Sequence, residues 1–445
     1  MLALLGTLLR KNTTILIAAS VTILIARISS SIVLTRLLDA TAFGIVGVIT
    51  TVAMILVLFT DLGFYPFVVR SVDSFSAEFL DKVWTIRLIR SLALTIVCFF
   101  LAWPVALYVG VPGLEYAVAA TALSLLLDGL SSMAFATGAR DGKMLQLSLL
   151  DVIPLLFQVT GSIILALIFR SFWVIVAMGI ISSALKCGLS YALFPGARRK
   201  WSYDPVTLKE VWAFGRHIMP SSIISLLINQ GDKIVLARLF DLNTFGLYVL
   251  ASNLASAPTG MIGSYTSRIL YPAFANTHRT HPEAMRTAFY QTGALFRKIL
   301  MFAFGGFIGS APIIIALLYD DRYLPAIPFL QILAFCSLSL FYASTVNEAL
   351  VASGRVKAPL YINITRLILI IVAGGTLYTF FGAIGFVFGF AVSLFITQMI
   401  NWVILHRLKI LNVGQEMQYL ALQLLGFAVG SFVVYLSKLI FITAL

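Results

Sequence analysis

The sequence predicts an all-α polytopic membrane protein. Two parallel-repeat six-helix bundles, twelve transmembrane helices in all, are followed by one additional C-terminal transmembrane helix. Three observations predict this. Hydrophobic residues make up 60% of the 445 residues and charged residues 11%, with a mean hydropathy of +1.00. A soluble domain runs near 45–50% apolar and about 25% charged. Apolar runs of about 20 residues, enough to cross roughly 30 Å of hydrocarbon, recur along the whole chain. A short segment beside the first run returns beside the seventh. This composition excludes a disordered chain, a disulfide scaffold and a soluble nucleic-acid binder.

Taken in order, the runs place helices near 13–36, 42–69, 83–109, 115–137, 147–169 and 172–194. A second set follows near 217–239, 244–268, 294–318, 325–351, 358–381 and 383–405, and a last span lies near 418–443. The first run continues past Thr13 to Thr35, longer than a signal-peptide core of about 7–15 residues, so it is expected to stay as a span. Cys98, Cys187 and Cys336 all sit inside apolar runs, which supports neither a disulfide framework nor a paired-cysteine metal site.

Loop charges set the orientation. One alternate set of connections holds most of the bases, from Arg10, Lys11 and Arg70 through Arg198, Arg199 and Lys200 to Arg407 and Lys409. The other set holds only Arg36, Arg170, Arg238, Arg322 and Lys438. The positive-inside rule makes the first set, and the N-terminus with it, cytoplasmic. Most of the net charge of +13 is therefore topological. The expected organisation is a lobe over 1–194, a cytoplasmic connector over 195–216, a second lobe over 217–405, and a tail with the extra helix over 406–445. In the connector, Asp204-Pro205 has the form of an N-cap with proline at N1. Leu208, Val211, Trp212 and Gly215 then recur at helical spacing, as in an interfacial amphipathic helix.

The repeat is the most specific signal. Residues 32–44 read IVLTRLLDATAFG and residues 234–246 read IVLARLFDLNTFG, at a constant offset of 202. Shared Arg, Asp and Phe-Gly positions are not expected from generic apolar helices. Copies six spans apart share one orientation, so the repeat is parallel, and paired lobes of this kind suit alternating access at a midplane site.

Charges at membrane depth cost several kcal/mol unless they face a bundle interior or water. Arg27, Lys233 and Arg366 are the central basic candidates for a substrate cavity, with Asn229 and Gln230 beside Lys233. Arg87 and Arg90, three apart on one helix face, either receive an anionic headgroup or snorkel to the interface. Asp128, Asp151, Asp232 and Glu348 are candidates for ion coupling or for neutralising neighbouring bases. Asp61, near Gly63 and Pro66, reads as a kink-associated cap or a coupling site. Two histidines in HRTH at 278–281 lack a third ligand, and no GxxxxGK[ST] phosphate loop or nucleophile–base constellation is present. Neither a metal nor an organic cofactor is expected, and no catalytic residue is assigned.

The segments RISSSIVLTRLLDATAFG at 27–44, DLG at 61–63, NQGDKIVLARLFDLNTFGLYVLASNLASAP at 229–258 and LYDDRYLPAIPFLQILA at 318–334 resemble the polysaccharide flippases, of Wzx type, in the multidrug/oligosaccharidyl-lipid/polysaccharide exporter superfamily. That resemblance spans nearly the whole chain. It implies a cationic cavity between two lobes, and Asp232 and Lys233 match the family's acidic-basic pair in the seventh span. It further implies a bacterial inner-membrane protein that moves an undecaprenyl-diphosphate-linked oligosaccharide from the cytoplasmic to the periplasmic leaflet; a membrane carboxylate would be the place for proton or sodium coupling, with neither ion singled out. Membrane lipids and other polysaccharide assembly proteins are the further partners it implies, with no nucleic acid. Span 1 has Ser30-Ser31 where peptidoglycan-precursor flippases carry an Arg-Asp pair, which argues against that substrate. Two readings compete with a flippase: a multidrug exporter of the same superfamily, and a non-transporting component of an export complex. A membrane polymerase would need a large outer loop, and every outer loop here is short.

Overall fold

In a computed structural model, residues 2–70, 76–140, 143–194, 199–257, 263, 265–266, 270–355 and 357–443 are described, and among them every regular element is helical. Ten of these helices are long and apolar enough to cross a membrane. By internal contacts the chain divides into two units, Met1–Gly246 and Leu247–Leu445.

The first unit opens with α1 (Leu2–Leu37) and α2 (Ala40–Phe59), followed by the short α3 (Phe64–Arg70). Next come α4 (Ala77–Val109), α5 (Leu114–Leu130), the short α6 (Ala134–Arg140), α7 (Met144–Phe169) and α8 (Trp173–Ala192). The last is α9 (Pro205–Leu239), which leads into the start of α10 (Leu242–Ser256). Two expected helices, 42–69 and 115–137, are each broken near the end where the expected cytoplasmic side lies. Asp61 accepts the Gly63 amide at 2.9 Å, and Gly63 takes a positive φ of 64°, so the helix cannot continue through 60–63. After α5, Ser132 donates its amide to Ser190 Oγ at 2.8 Å, and the Leu130 carbonyl accepts from both Tyr191 Oη and Trp84 Nε1. Donors outside the helix replace the bonds that continuation would have made.

The 202-residue offset reappears in the element boundaries. α1 ends at Leu37 and α9 at Leu239, while α2 begins at Ala40 and α10 at Leu242. Asp241 caps α10 through the Asn243 and Thr244 amides and the Thr244 hydroxyl. These bonds, the Thr244 hydroxyl first, hold its carboxyl below the usual range. Asp39 occupies the matching position before α2. Backbone packs on backbone where the copies meet. A Cβ on Gly246 would lie 2.7 Å from the Ala40 carbonyl carbon, and one on Gly44 would lie 3.0 Å from Leu242 Cδ1.

The connector becomes the start of a long helix. Asp204 accepts from the Val206 and Thr207 amides, Pro205 sits in the first turn as expected, and α9 then runs on to Leu239 as one element. Residues 195–198 of the connector lie outside the described set, as does much of the expected span 244–268 beyond Ala257.

The second unit contains α11 (Tyr271–Thr280), α12 (Met285–Gln291), α13 (Ala294–Leu318), α14 (Ile327–Ala352), α15 (Ala358–Arg407) and α16 (Val413–Thr443). α15 is fifty residues long but turns at Gly382, whose φ of 63° and ψ of −148° are open to glycine alone; the sequence places a span boundary at the same residue. The extra C-terminal helix, α16, lies along α13 through two small-residue stripes, Gly305/Gly309 and Gly426/Gly430. A Cβ on Gly309 would stand 2.9 Å from Ser431 N, and one on Gly430 would stand 2.8 Å from Ser310 N. Such backbone approach is how helices gain contact in lipid, where the hydrophobic effect gives no preference for association.

Candidate functional site

In the first unit Arg27 lies ten residues before the end of α1, with an exposed side chain and no ion-pair partner among the described residues. An exposed guanidinium at that depth needs water or an anion beside it. No other candidate base in this unit combines that depth, exposure and lack of a carboxylate.

Arg87 and Arg90 are occupied by the fold. Arg87 is 7% exposed and donates through Nη2 to Asp128 Oδ2 at 2.8 Å and through Nη1 to the Ser131 carbonyl at 3.4 Å. Its guanidinium stands over the Phe135 ring at 5.8 Å. Arg90 donates to Thr60 Oγ1 at 3.0 Å and to the Val57 carbonyl at 2.6 Å. Each arginine thus satisfies the frayed C-terminal end of a broken helix, α5 for Arg87 and α2 for Arg90. Asp61 completes this region by accepting from Ser222 Oγ on α9 at 2.7 Å, in addition to the Gly63 amide.

Asp151 on α7 pairs with Lys186 on α8 at 2.8 Å, and both side chains are exposed. On α9, Asp232 is buried, while Gln230 and Lys233 are half-buried; the side chain of Asn229 lies outside the described set. The structure therefore joins Arg87 with Asp128 and Asp151 with Lys186, and gives Arg27 no carboxylate.

In the second unit Arg366 is buried at 7% exposure, and its Nε has no acceptor. Glu348 is half-buried and forms no ion pair among the described residues. Sequence reasoning missed a third cluster here. Glu416 on α16, 3% exposed, accepts from Tyr290 Oη at 2.7 Å and from Trp402 Nε1 at 3.1 Å. Tyr290 in turn accepts the Asn412 amide at 3.0 Å. Burial, and then the neighbouring Glu416 charge, raise the Tyr290 hydroxyl well above its ordinary range. Beside it Arg297, 2% exposed, stands over the Phe289 and Tyr419 rings at 5.0 and 5.6 Å, and no atom accepts from its Nη1 or Nη2. In the sequence Arg297 counts only as a loop charge. Its place in the first turn of an apolar helix was the available signal, because a base there turns either outward to the interface or inward to aromatic faces.

Residues 33–328, well over half of the chain, match the family model described as "Polysaccharide biosynthesis protein". The chain is 28% identical over 195 residues to "Lipopolysaccharide biosynthesis protein WzxC" of Escherichia coli (strain K12), covering 43% of this chain and 39% of that protein. It is 22% identical over 168 residues to "Teichuronic acid biosynthesis protein TuaB" of Bacillus subtilis (strain 168), covering 37% and 35% respectively. The matched part thus spans less than half the length of either relative. Among solved structures, "Lipid II flippase MurJ, inward closed conformation" superposes with a TM-score of 0.71 over 96% of this chain and 92% of that one, at 13% identity. That identity speaks to the fold alone. With its lipid-spanning helices, its repeated helix–turn–helix and the extent of the family match, the chain belongs to the polysaccharide biosynthesis protein family and has the polytopic fold of the flippases and exporters.

Proposed function

We propose that the protein is a flippase that moves undecaprenyl-diphosphate-linked oligosaccharide units from the cytoplasmic to the periplasmic leaflet of a bacterial inner membrane. It works by alternating access and acts as a transporter, not an enzyme. The observation that carries this reading is Arg27, an exposed cation deep in α1 with no carboxylate partner. A diphosphate is a bidentate acceptor that suits a guanidinium. Lys233, directly before the second repeat copy, adds a point charge five residues ahead of that copy's Arg238.

On this reading the spans number twelve plus one. The short α5 and α10 are counted as spans, and α15 is counted twice because it turns at Gly382. The N-terminus is cytoplasmic. Coupling to a proton or sodium gradient would use a membrane carboxylate, for which Asp232 and Glu348 are the buried and half-buried candidates.

The test has two arms. Proteoliposomes containing only this protein should expose a short-chain lipid-linked oligosaccharide, labelled on its glycan, to an external reagent faster than empty vesicles do. A strain lacking the protein should accumulate lipid-linked glycan, and Arg27→Ala with Lys233→Ala should fail to clear it. Full clearance by the double variant would remove the residue assignment. No flipping by the wild type in liposomes would favour a non-transporting role in an export complex.

A further inference from the structure

The first three turns of α9 carry two faces of opposite character. Thr207, Val211 and Gly215, spaced by four, are buried against the rest of the first unit. Val211 joins the cluster of Leu62, Phe64, Val68, Leu80 and Val83, and a Cβ on Gly215 would lie 2.9 Å from Leu62 Cα. Polar clamps fix the segment just before the helix. Arg199 Nη1 donates to Asp81 Oδ1 at 3.0 Å, the Ser202 amide donates to Thr85 Oγ1 at 2.9 Å, and Lys82 Nζ stands 3.6 Å from Asp204 Oδ2. The orientation of the opposite face is therefore set by the fold.

That face presents Lys209, Trp212 and Arg216, spaced three and four apart on one stripe. Lys200, Trp201, Tyr203 and Val206 extend it, with Trp201 64% and Trp212 55% exposed. The nearby acids are largely taken, Asp81 by Arg199 and Asp204 by the helix cap and Lys82, so Glu210 is the one exposed carboxylate on α9 before Arg216. Lys200, Lys209 and Arg216 make no ion pair among the described residues. The side of a helix is convex and offers no groove to a peptide. Aromatic rings alternating with bases at the end of membrane spans suit a headgroup layer, where indole and phenol rings partition and cations meet phosphate.

We propose that this stripe is a docking face for anionic phospholipid headgroups of the leaflet at that end of the spans. It holds the base of the helix that carries Gln230, Asp232 and Lys233. This rests on the chain spanning a membrane and not on the identity of its substrate. Each base close to an anionic surface strengthens association on the order of fivefold.

The full chain in vesicles provides the test, through tryptophan quenching by phosphatidylglycerol or phosphatidylcholine brominated on the acyl chain near the headgroup. The contribution of Trp201 and Trp212 is isolated by subtracting W201F/W212F. Brominated phosphatidylglycerol should quench that contribution at least about twofold more than brominated phosphatidylcholine at equal mole fraction. The excess should vanish in K200Q/K209Q/R216Q and persist in K200R/K209R/R216K, neither of which touches the clamps. Equal quenching by the two lipids, no quenching of Trp201 and Trp212, or an excess that survives the glutamine variant would each overturn the proposal. The second of these would point instead to a face in water, open to a protein partner.

Discussion

Replacing Gly246 by alanine isolates the contact between the two repeat copies. Two effects oppose each other. Alanine favours a helix by about 1 kcal/mol over glycine, so on propensity alone α10 would gain. Against that, the added Cβ would lie 2.7 Å from the Ala40 carbonyl carbon, closer still to its oxygen, and 3.0 Å from the Gly44 amide nitrogen. Carbon atoms sit best at about 3.5–4.0 Å, so the carbonyl carbon alone requires the starts of α2 and α10 to part by roughly 1 Å, and the oxygen requires more. The atoms in the way are backbone, which cannot rotate aside, and overpacking of this kind costs about 1–3 kcal/mol. A penalty paid only in conformations that keep this contact shifts the conformational equilibrium by about 5- to 150-fold toward those that lack it. Spin labels at Thr41→Cys and Asn243→Cys, both exposed beside the contact, would read the separation in a background with Cys98, Cys187 and Cys336 replaced by serine. The short-distance population should fall in Gly246→Ala and flipping should slow, while thermal stability changes little. Gly44→Ala, whose Cβ would strike the Leu242 carbonyl oxygen, should act in the same direction. An unchanged distance distribution together with unchanged transport would refute the reasoning.

Other substitutions separate structural from functional charges. Arg87→Met should lower the melting temperature in detergent, with a loss of about 1–3 kcal/mol, because the Ser131 carbonyl and Asp128 lose a donor. The lower part of that range is expected, since the Asp128 side chain is 62% exposed and water takes over part of the pairing. Glu416→Leu should strip Tyr290 and Trp402 of their shared acceptor, destabilise the second unit by about 2–4 kcal/mol and make α16 cleavable by protease at lower temperature. Glu416→Gln, which keeps an acceptor oxygen, should lose less than half as much. Asp204 titrates below its ordinary range because the Thr207 hydroxyl, and then the Val206 amide, donate to it. A lowered folded-state value adds stability above the unfolded-state value and loses it as pH falls through the folded one. Hydrogen exchange at Val206 and Thr207 should therefore quicken on acidification in the wild type, and Asp204→Asn should remove that acid-side dependence.

What the sequence made legible was what depends on pattern along one chain. The repeat offset of 202 reads the same in letters and in helix ends, because Leu37 and Leu239, and Ala40 and Leu242, obey one local code of helix stop and cap. Gly382 was legible as a boundary since an apolar stretch of fifty residues exceeds any single crossing, and a glycine is where the backbone can turn. The break at 60–63 was legible in part, since Asp61 near Gly63 and Pro66 reads as a kink-associated cap and Asp61 does accept the Gly63 amide. The break at 131–133 was not: it depends on donors supplied from elsewhere, Tyr191, Trp84 and Arg87, and apolar periodicity runs straight through it.

The same distinction decides which bases at membrane depth can serve a ligand. Depth sets Arg27, far from either interface, apart from Arg87 and Arg90 near the end of their helix, but depth by itself does not say which of the three is free to meet a ligand. A guanidinium has five donors, and what matters is how many the fold has already claimed. Arg87 gives bonds to Asp128 and Ser131, and Arg90 to Thr60 and Val57, so an incoming phosphate would have to displace intramolecular partners before it gained anything. Arg27 has no such carboxylate to lose and is open to whatever fills the space beside α1. It follows that Arg27→Lys should weaken glycan clearance more than Arg90→Lys. On the proposed reading the first exchange removes a bidentate fork that would hold the diphosphate, whereas the second keeps a cation able to reach one helix-end carbonyl. Clearance rates for the two variants at matched expression decide it: a larger loss from Arg90→Lys, with the protein still folded, would move the binding role from α1 to α4.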